Sequence, residues 1–128
     1  MSRDSGPIGR LQAMVLDCPD ALALAHFYHS IIGGEVVEHP DEDDWVELRT
    51  TAGWLAFQET ADHVAPTWPN NDVPQQAHVD VAVADLDAGE RAVIAVGARK
   101  TATQPMPEEF RVFLDPVGHP FCLVPGGD

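Results

Sequence analysis

Gln12-Ala13-Met14-Val15-Leu16-Asp17-Cys18-Pro19-Asp20 leads into an Ala/Leu-rich segment, and the chain returns to the same plan at Ala77-His78-Val79-Asp80-Val81-Ala82-Val83-Ala84-Asp85 ahead of a second Ala-rich segment. Each passage reads as a short apolar strand broken at an aspartate, the residue type that caps a helix N-terminus. Laying Asp20 on Asp85 lays Ala13 on His78. The repeat therefore defines the architecture, and its asymmetry places a good metal ligand in one copy opposite a residue that cannot ligate in the other.

Working outward, the spacing of Leu24, Phe27, Tyr28 and Ile31 predicts a helix over Ala21–Ile32, stopped by Gly33-Gly34. Short strands follow at Glu35–Glu38, Trp45–Thr50 and Gly53–Gln58, with Asp41-Glu42-Asp43-Asp44 read as a solvated loop. The second half repeats this order: strand Ala77–Val83, helix Asp85–Val96, strand Ala98–Thr103, then Phe110–Leu114 and Pro120–Val124 joined by Asp115-Pro116-Val117-Gly118-His119. The expected fold is α+β, two βαβββ repeats forming a curved mixed sheet around a cleft with the helices outside. Residues 1–128 make one domain, its halves at about 10–60 and 77–125, joined by a Pro/Asn/Asp-rich linker at about 61–76. Residues 1–7 read as a flexible start. Two half-length repeats must share one core, because 128 residues are too few for two ordinary domains.

The formal charge of −14, from 21 acidic and 7 basic residues, argues against nucleic acid, since phosphate contacts require clustered Lys and Arg. No apolar run approaches the roughly 20 residues that span a bilayer. Two cysteines, Cys18 and Cys122, are too few for a disulfide framework, and the N-terminal residues lack a signal-type apolar stretch. A cytoplasmic protein with reduced thiols, and with neither nucleic acid nor membrane as partner, is the expectation.

Strand alternation sorts side chains between two faces. Val79, Val81 and Val83 form an apolar row for packing against helices, which turns His78, Asp80 and Ala82 toward the cleft. Equivalent parity brings Ala13, Val15, Asp17, Trp54, Ala56, Gln58, Cys122 and Val124 to the same face. Arg49 and Arg111 are assigned there too, with Trp45, Glu47 and Phe113 near them. These arginines suit bidentate contacts to an anionic ligand while an aromatic ring stacks on its planar part, and pairing of Arg49 with Glu47 is the competing reading. His26 and His29, one helical turn apart, read as surface histidines, and His119 as part of a tight turn.

The residues Val15-Leu16-Asp17-Cys18-Pro19-Asp20, Ala25-His26-Phe27-Tyr28 with Gly33-Gly34, Leu55-Ala56-Phe57-Gln58, His78-Val79-Asp80-Val81, Asp85-Leu86-Asp87, Gly97-Ala98 and Asp115-Pro116-Val117-Gly118-His119-Pro120-Phe121-Cys122-Leu123 resemble those of the vicinal oxygen chelate superfamily. This group contains glyoxalase I, bleomycin resistance proteins and extradiol dioxygenases. The resemblance, closest to its glyoxalase-like domain proteins, spans about Leu11 to Val124. It implies a βαβββ repeat fold, a cleft for a small molecule and dimerisation. It also implies, for metal-using members, one His or Gln from the first strand of each half and one Glu from the last strand of each half.

At those positions this chain offers Ala13 (Gln12 if the register slips by one), Ala56 with Gln58 two residues on, His78, and Cys122. The full metal set is therefore not expected. If a metal binds, its ligands are His78 with Cys122, Asp80 or Gln58. Without one, His78 is a ligand-contacting group held by Asp80 or a hydrogen-bonded packing residue. The leading expectation is a pocket that binds a small organic molecule through His78, Asp80, Gln58, Trp54, Arg49, Arg111, Phe113 and Cys122, with no cofactor. A metal-dependent lyase or dioxygenase and an antibiotic-sequestering resistance protein are the alternatives, so catalysis stays open, and a homodimer is one expected arrangement.

Overall fold

The computed structural model describes residues 10–126; the expected flexible start, residues 1–7, lies outside them. The first half comprises β1 (Met14–Cys18), α1 (Ala21–Ile32), β2 (Glu35–His39), β3 (Glu42–Thr50) and β4 (Gly53–Glu59). The second comprises β5 (Val79–Val83), α2 (Leu86–Ala95), β6 (Arg99–Lys100), β7 (Arg111–Leu114) and β8 (Pro120–Pro125). Each half makes one four-stranded mixed sheet, in the orders β1-β4-β3-β2 and β5-β8-β7-β6. Strands β1 and β4 run parallel, as do β5 and β8, and the remaining pairs are antiparallel. The βαβββ plan is thus realised twice. Residues 60–78 carry no regular element.

Both helices start as their aspartates dictate. Asp20 accepts from the backbone N–H of Ala23 at 3.1 Å, and Asp85 accepts from those of Asp87 and Ala88 at 2.8 and 3.2 Å. Each cap satisfies donors that the first helical turn leaves unpaired, worth about 1 kcal/mol. Helix α1 buries Leu24, Phe27 and Tyr28, whereas α2 buries only Val93. Close packing of α2 on the sheet explains Gly89 in its middle. A Cβ there would lie 3.1 Å from the Val83 methyls and 3.3 Å from Leu123, so the missing side chain lets the helix backbone approach β5 and β8.

The core joins the two halves. Phe27 and Tyr28 of α1 meet Phe121 of β8 edge-on at centroid distances of 6.0 and 6.1 Å, Tyr28 stacks on Phe57 of β4, and Phe113 stacks on Phe121. Burial of each large apolar side chain contributes about 1.5–3 kcal/mol. At the surface between the halves, His119 donates from Nε2 to the Asp17 carbonyl at 2.6 Å.

Several boundaries differ from expectation, and the strand expected from Ala77 starts at Val79. Glu42, Asp43 and Asp44, read as loop, form the start of β3, where pairing of His39 with Glu42 overrides their weak strand preference. The strand expected at Ala98–Thr103 is reduced to Arg99–Lys100, because the Gln104 side chain accepts from the Val112 N–H and donates to the Thr101 carbonyl, replacing the bond that would close the next rung.

Candidate functional site

Strands β5, β7 and β8 hold one wall of a cavity of about 460 Å³. Their alternation sends His78, Asp80, Val112, Cys122 and Val124 into it, while Val81, Phe113, Phe121 and Leu123 are buried on the other side of the sheet. Parallel pairing sets Asp80 directly opposite Cys122, and antiparallel pairing sets Val112 opposite Cys122. Trp68 and Gln75 from the linker, with Pro105, Glu109, Phe110 and Pro120, complete the lining. The walls are thus largely apolar, and the charged side chains among them are Asp80 and Glu109, with no lysine or arginine. Such a lining favours neutral or cationic guests and disfavours anions.

His78 Nε2 lies 3.1 Å from Asp80 Oδ1, with 42% and 55% of these side chains exposed. Cys122 is only 9% exposed. Burial, reinforced by the negative charge of Asp80, pushes its thiol up to about 11. At neutral pH it is a protonated, weakly nucleophilic group, since the thiolate is the reactive form. The donor atoms of His78, Asp80 and Cys122 all lie within 4.8 Å of one another. Gln75 adds an unpartnered acceptor, because its buried Oε1 has no hydrogen-bond donor.

The first half carries a different surface on its corresponding face. Glu47 accepts from Trp45 Nε1 at 2.9 Å and from Arg49 at 2.7 and 3.0 Å, and His39 Nε2 lies 3.3 Å away. The Arg49 guanidinium sits 4.1 Å over the centre of the Trp54 ring. Arg49 is therefore engaged by Glu47 and Trp54. Gln58 donates to the Asp44 carboxylate at 2.7 Å. Trp54, Arg49 and Gln58 are partly exposed, and none of the three lines the cavity.

Two assignments need correction. Arg111 and Phe113 do not share the cleft face: Arg111 is 8% exposed and reaches Asp87 and Glu90 beside α2 at 2.8 and 3.1 Å, and Phe113 is fully buried against Phe121. The β7–β8 hairpin pairs Arg111 with Leu123, Val112 with Cys122 and Phe113 with Phe121, which puts the even-numbered residues of β7 on the side of Cys122. Parity counted within one strand could not reveal that relation. Trp68, Gln75, Glu109, Phe110 and Val112 were not anticipated. The available signal was Trp68 itself, a large aromatic in an otherwise polar and proline-rich linker. His26 and His29 are exposed on α1, as expected.

The internal repeat shows what the site lacks. With Ala13 equivalent to His78 and Val15 to Asp80, the pairings Val15 with Ala56 and Asp80 with Cys122 make Ala56 the counterpart of Cys122. All three donors thus correspond, in the repeat, to apolar residues of the first half. The residues do not fit a four-position centre shared by both halves and built from imidazole, amide and carboxylate groups.

The sequence profile of the glyoxalase-like domain family matches residues 13–124. Among curated proteins there is no significant sequence match. Several solved structures share the fold. The fosfomycin resistance protein FosX from Listeria monocytogenes has a TM-score of 0.70 at 17% identity, covering 94% of each chain. FosX from Mesorhizobium loti gives 0.68 at 16% identity, again covering 94% of each chain. A glyoxalase/bleomycin resistance protein/dioxygenase family enzyme from Burkholderia phytofirmans gives 0.66 at 16% identity, covering 89% of this chain and 96% of its own. The profile match spans most of the sequence, the βαβββ repeat is present twice, and the chain belongs to the glyoxalase-like domain family, with the vicinal oxygen chelate fold.

Proposed function

We propose that this chain binds a small organic molecule in the cavity over its second sheet, without the four-ligand metal centre of its superfamily. The observation that carries this reading is that the first half has Ala13, Val15 and Ala56 at the positions equivalent to His78, Asp80 and Cys122. Apolar side chains cannot hold the shared ion by which metal-using relatives would grip paired substrate oxygens. What this chain supplies instead is a largely apolar lining that includes Trp68 and Phe110, with acceptors at Asp80 and Glu109. The guest that suits it is neutral or cationic, with a flat apolar body and at least one N–H group. A cationic antibiotic held by sequestration falls within that class, and the acidic, aromatic lining is the observation that favours it.

Tryptophan fluorescence tests the reading. Aromatic amines and aromatic carboxylates of matched size are titrated into the protein in a buffer containing EDTA, with Trp68→Phe as control. Saturable quenching by the amines, lost in Trp68→Phe, is the expected result. Binding that appears only after magnesium or manganese is supplied would overturn it in favour of a metal-dependent lyase or dioxygenase.

A further inference from the structure

We propose that His63 and His119 form a two-imidazole site for a borderline divalent ion such as zinc, at the seam where the segment after β4 meets the β7–β8 turn. The site is separate from the cavity over the second sheet. No side chain of the first or last strand of either half supplies a donor to it.

The two histidines share a second cavity, of about 390 Å³, whose walls include Asp17, Asp62, His63, Gln75 and His119. Segments far apart in sequence are pressed together beside it. A Cβ on Gly118 would lie 2.7 Å from that of Ala65, so the turn can approach this closely only with glycine at that position. The imidazole centres of His63 and His119 are 5.3 Å apart, with the rings inclined at 55°. An ion held about 2.0–2.1 Å from one nitrogen of each ring, at a near-tetrahedral angle, sets the ring centres roughly 5 Å apart. The pair already stands at about the separation that chelation needs.

Hydrogen bonding assigns the nitrogens. His119 Nε2 lies 2.6 Å from the Asp17 carbonyl, which can only accept, so Nε2 carries the proton and Nδ1 keeps the lone pair. A backbone carbonyl on one nitrogen is the arrangement that orients a metal-binding imidazole. His63 Nε2 is buried and has no hydrogen-bond partner among the described residues. Buried polar atoms are nearly always satisfied, and an ion at this nitrogen accounts for its burial without one. Gln75 Oε1 is in the same condition, and Gln75 lines the same cavity. Its amide oxygen supplies a third donor, and water completes the shell.

The chemistry of the donors selects the ion. Magnesium and calcium favour shells built of oxygen, whereas imidazole nitrogen suits zinc and, as its spectroscopic substitute, cobalt. Asp17 and Asp62 add negative charge around the cavity, which favours a cation there. Trp68 lies between His63 and Gln75 in sequence, and both Trp68 and Gln75 line the cavity over the second sheet. The ion thus fastens the segment that walls the space assigned to the organic guest.

The test uses tag-free, reduced, full-length protein, stripped with chelator and then freed of it. Zinc affinity is read by competition with a chromophoric chelator. One equivalent is expected, with cobalt giving visible bands but no sulfur-to-metal charge-transfer band. His63→Ala and His119→Gln should each weaken zinc at least tenfold, although the second retains an N–H donor for the Asp17 carbonyl. His78→Ala should leave affinity within twofold of wild type. Zinc should raise the melting temperature of wild type and His78→Ala but not of His63→Ala, and this comparison decides the matter if His119→Gln folds poorly. Zinc uptake unchanged in His63→Ala, uptake lost in His78→Ala, less than half an equivalent bound, or a sulfur band in the cobalt complex would overturn the proposal. The amine titration is run in EDTA, so neither result depends on the other.

Discussion

Tyr28 donates its phenolic hydrogen to Asp115 Oδ2 at 2.7 Å in the interior, tying α1 of the first half to the β7–β8 turn of the second. The other Asp115 oxygen accepts from the backbone N–H groups of Val117 and His119, both at 3.0 Å, so one buried side chain holds both the turn and the junction between halves. Tyr28→Phe keeps the ring stacked on Phe57 but leaves the carboxyl group one donor short. The expected loss is roughly 1–3 kcal/mol in urea unfolding, the usual penalty for orphaning a buried polar partner. Binding at the cavity should be unaffected. A stability change below about 0.5 kcal/mol would show that the hydrogen bond is not what joins the halves.

Cys18 offers a test on the alkaline side. It is fully buried, and burial raises its thiol from 9.0 to about 11, despite a backbone hydrogen bond that acts the other way. A group whose pKa is raised by folding contributes its full stability below the unfolded value and loses it as pH rises through the folded one. The wild type should therefore lose more stability than Cys18→Ala between about pH 9 and 11, measured as urea midpoints under reducing conditions. Tyr28, held well above the ordinary tyrosine range by burial and by Asp115, is common to both proteins and cancels in the comparison. Parallel pH profiles for the two would sink the prediction.

The parts of the fold that were legible in the sequence are those governed by local periodicity. The run Leu24, Phe27, Tyr28, Ile31 has helical spacing, and the α1 bounds are those expected; Val79, Val81 and Val83 alternate, and their strand is present. Asp80 and Cys122 could be placed on one face because each sits on a strand whose inward row is plainly apolar, and His78, just before β5, continues the same alternation. Arg111 and Phe113 could not, because β7 reads apolar at 112, 113 and 114, and only its hairpin register says which residue turns inward. Trp68 and Gln75 were out of reach for another reason. A segment without regular structure has no period, so nothing local tells which of its side chains fold back over a sheet.

Glu47 makes the corresponding test in acid. Burial alone would raise its carboxyl group, but hydrogen bonds from Trp45, Arg49 and His39 outweigh that effect and hold it below the ordinary 4.5. A carboxylate lowered in the folded state contributes stability above its unfolded value, and that stability is lost as pH falls through the folded value. Glu47→Gln should therefore be less stable than wild type at pH 6, with the gap narrowing only below pH 4.5. Urea midpoints of both proteins across this range provide the check. A gap that persists unchanged at the acid end would mean that shape, rather than charge, is what Glu47 contributes.

Arg111 decides between a structural cation and a ligand-binding one. Its guanidinium donates from Nε to the Pro107 carbonyl at 2.8 Å and pairs through Nη1 with Asp87 and Glu90, while only 10% of the side chain reaches solvent. Hydrogen bonding to the Asp87 carboxylate, with burial opposing and Glu90 assisting, raises its pKa further, so it stays charged throughout any practical pH range. These contacts fasten β7 to an α2 helix whose only buried side chain is Val93, where few apolar contacts are available to do so. Arg111→Met preserves the aliphatic stem and removes the charge. The variant should unfold at lower urea concentration and lower temperature, with faster amide hydrogen exchange along α2, while affinity for an aromatic amine in the cavity stays within about twofold of wild type. The measurement pairs a denaturation curve with the fluorescence titration. Weakened ligand binding in a variant of unchanged stability would return Arg111 to the cleft, against the hairpin register that turns it away.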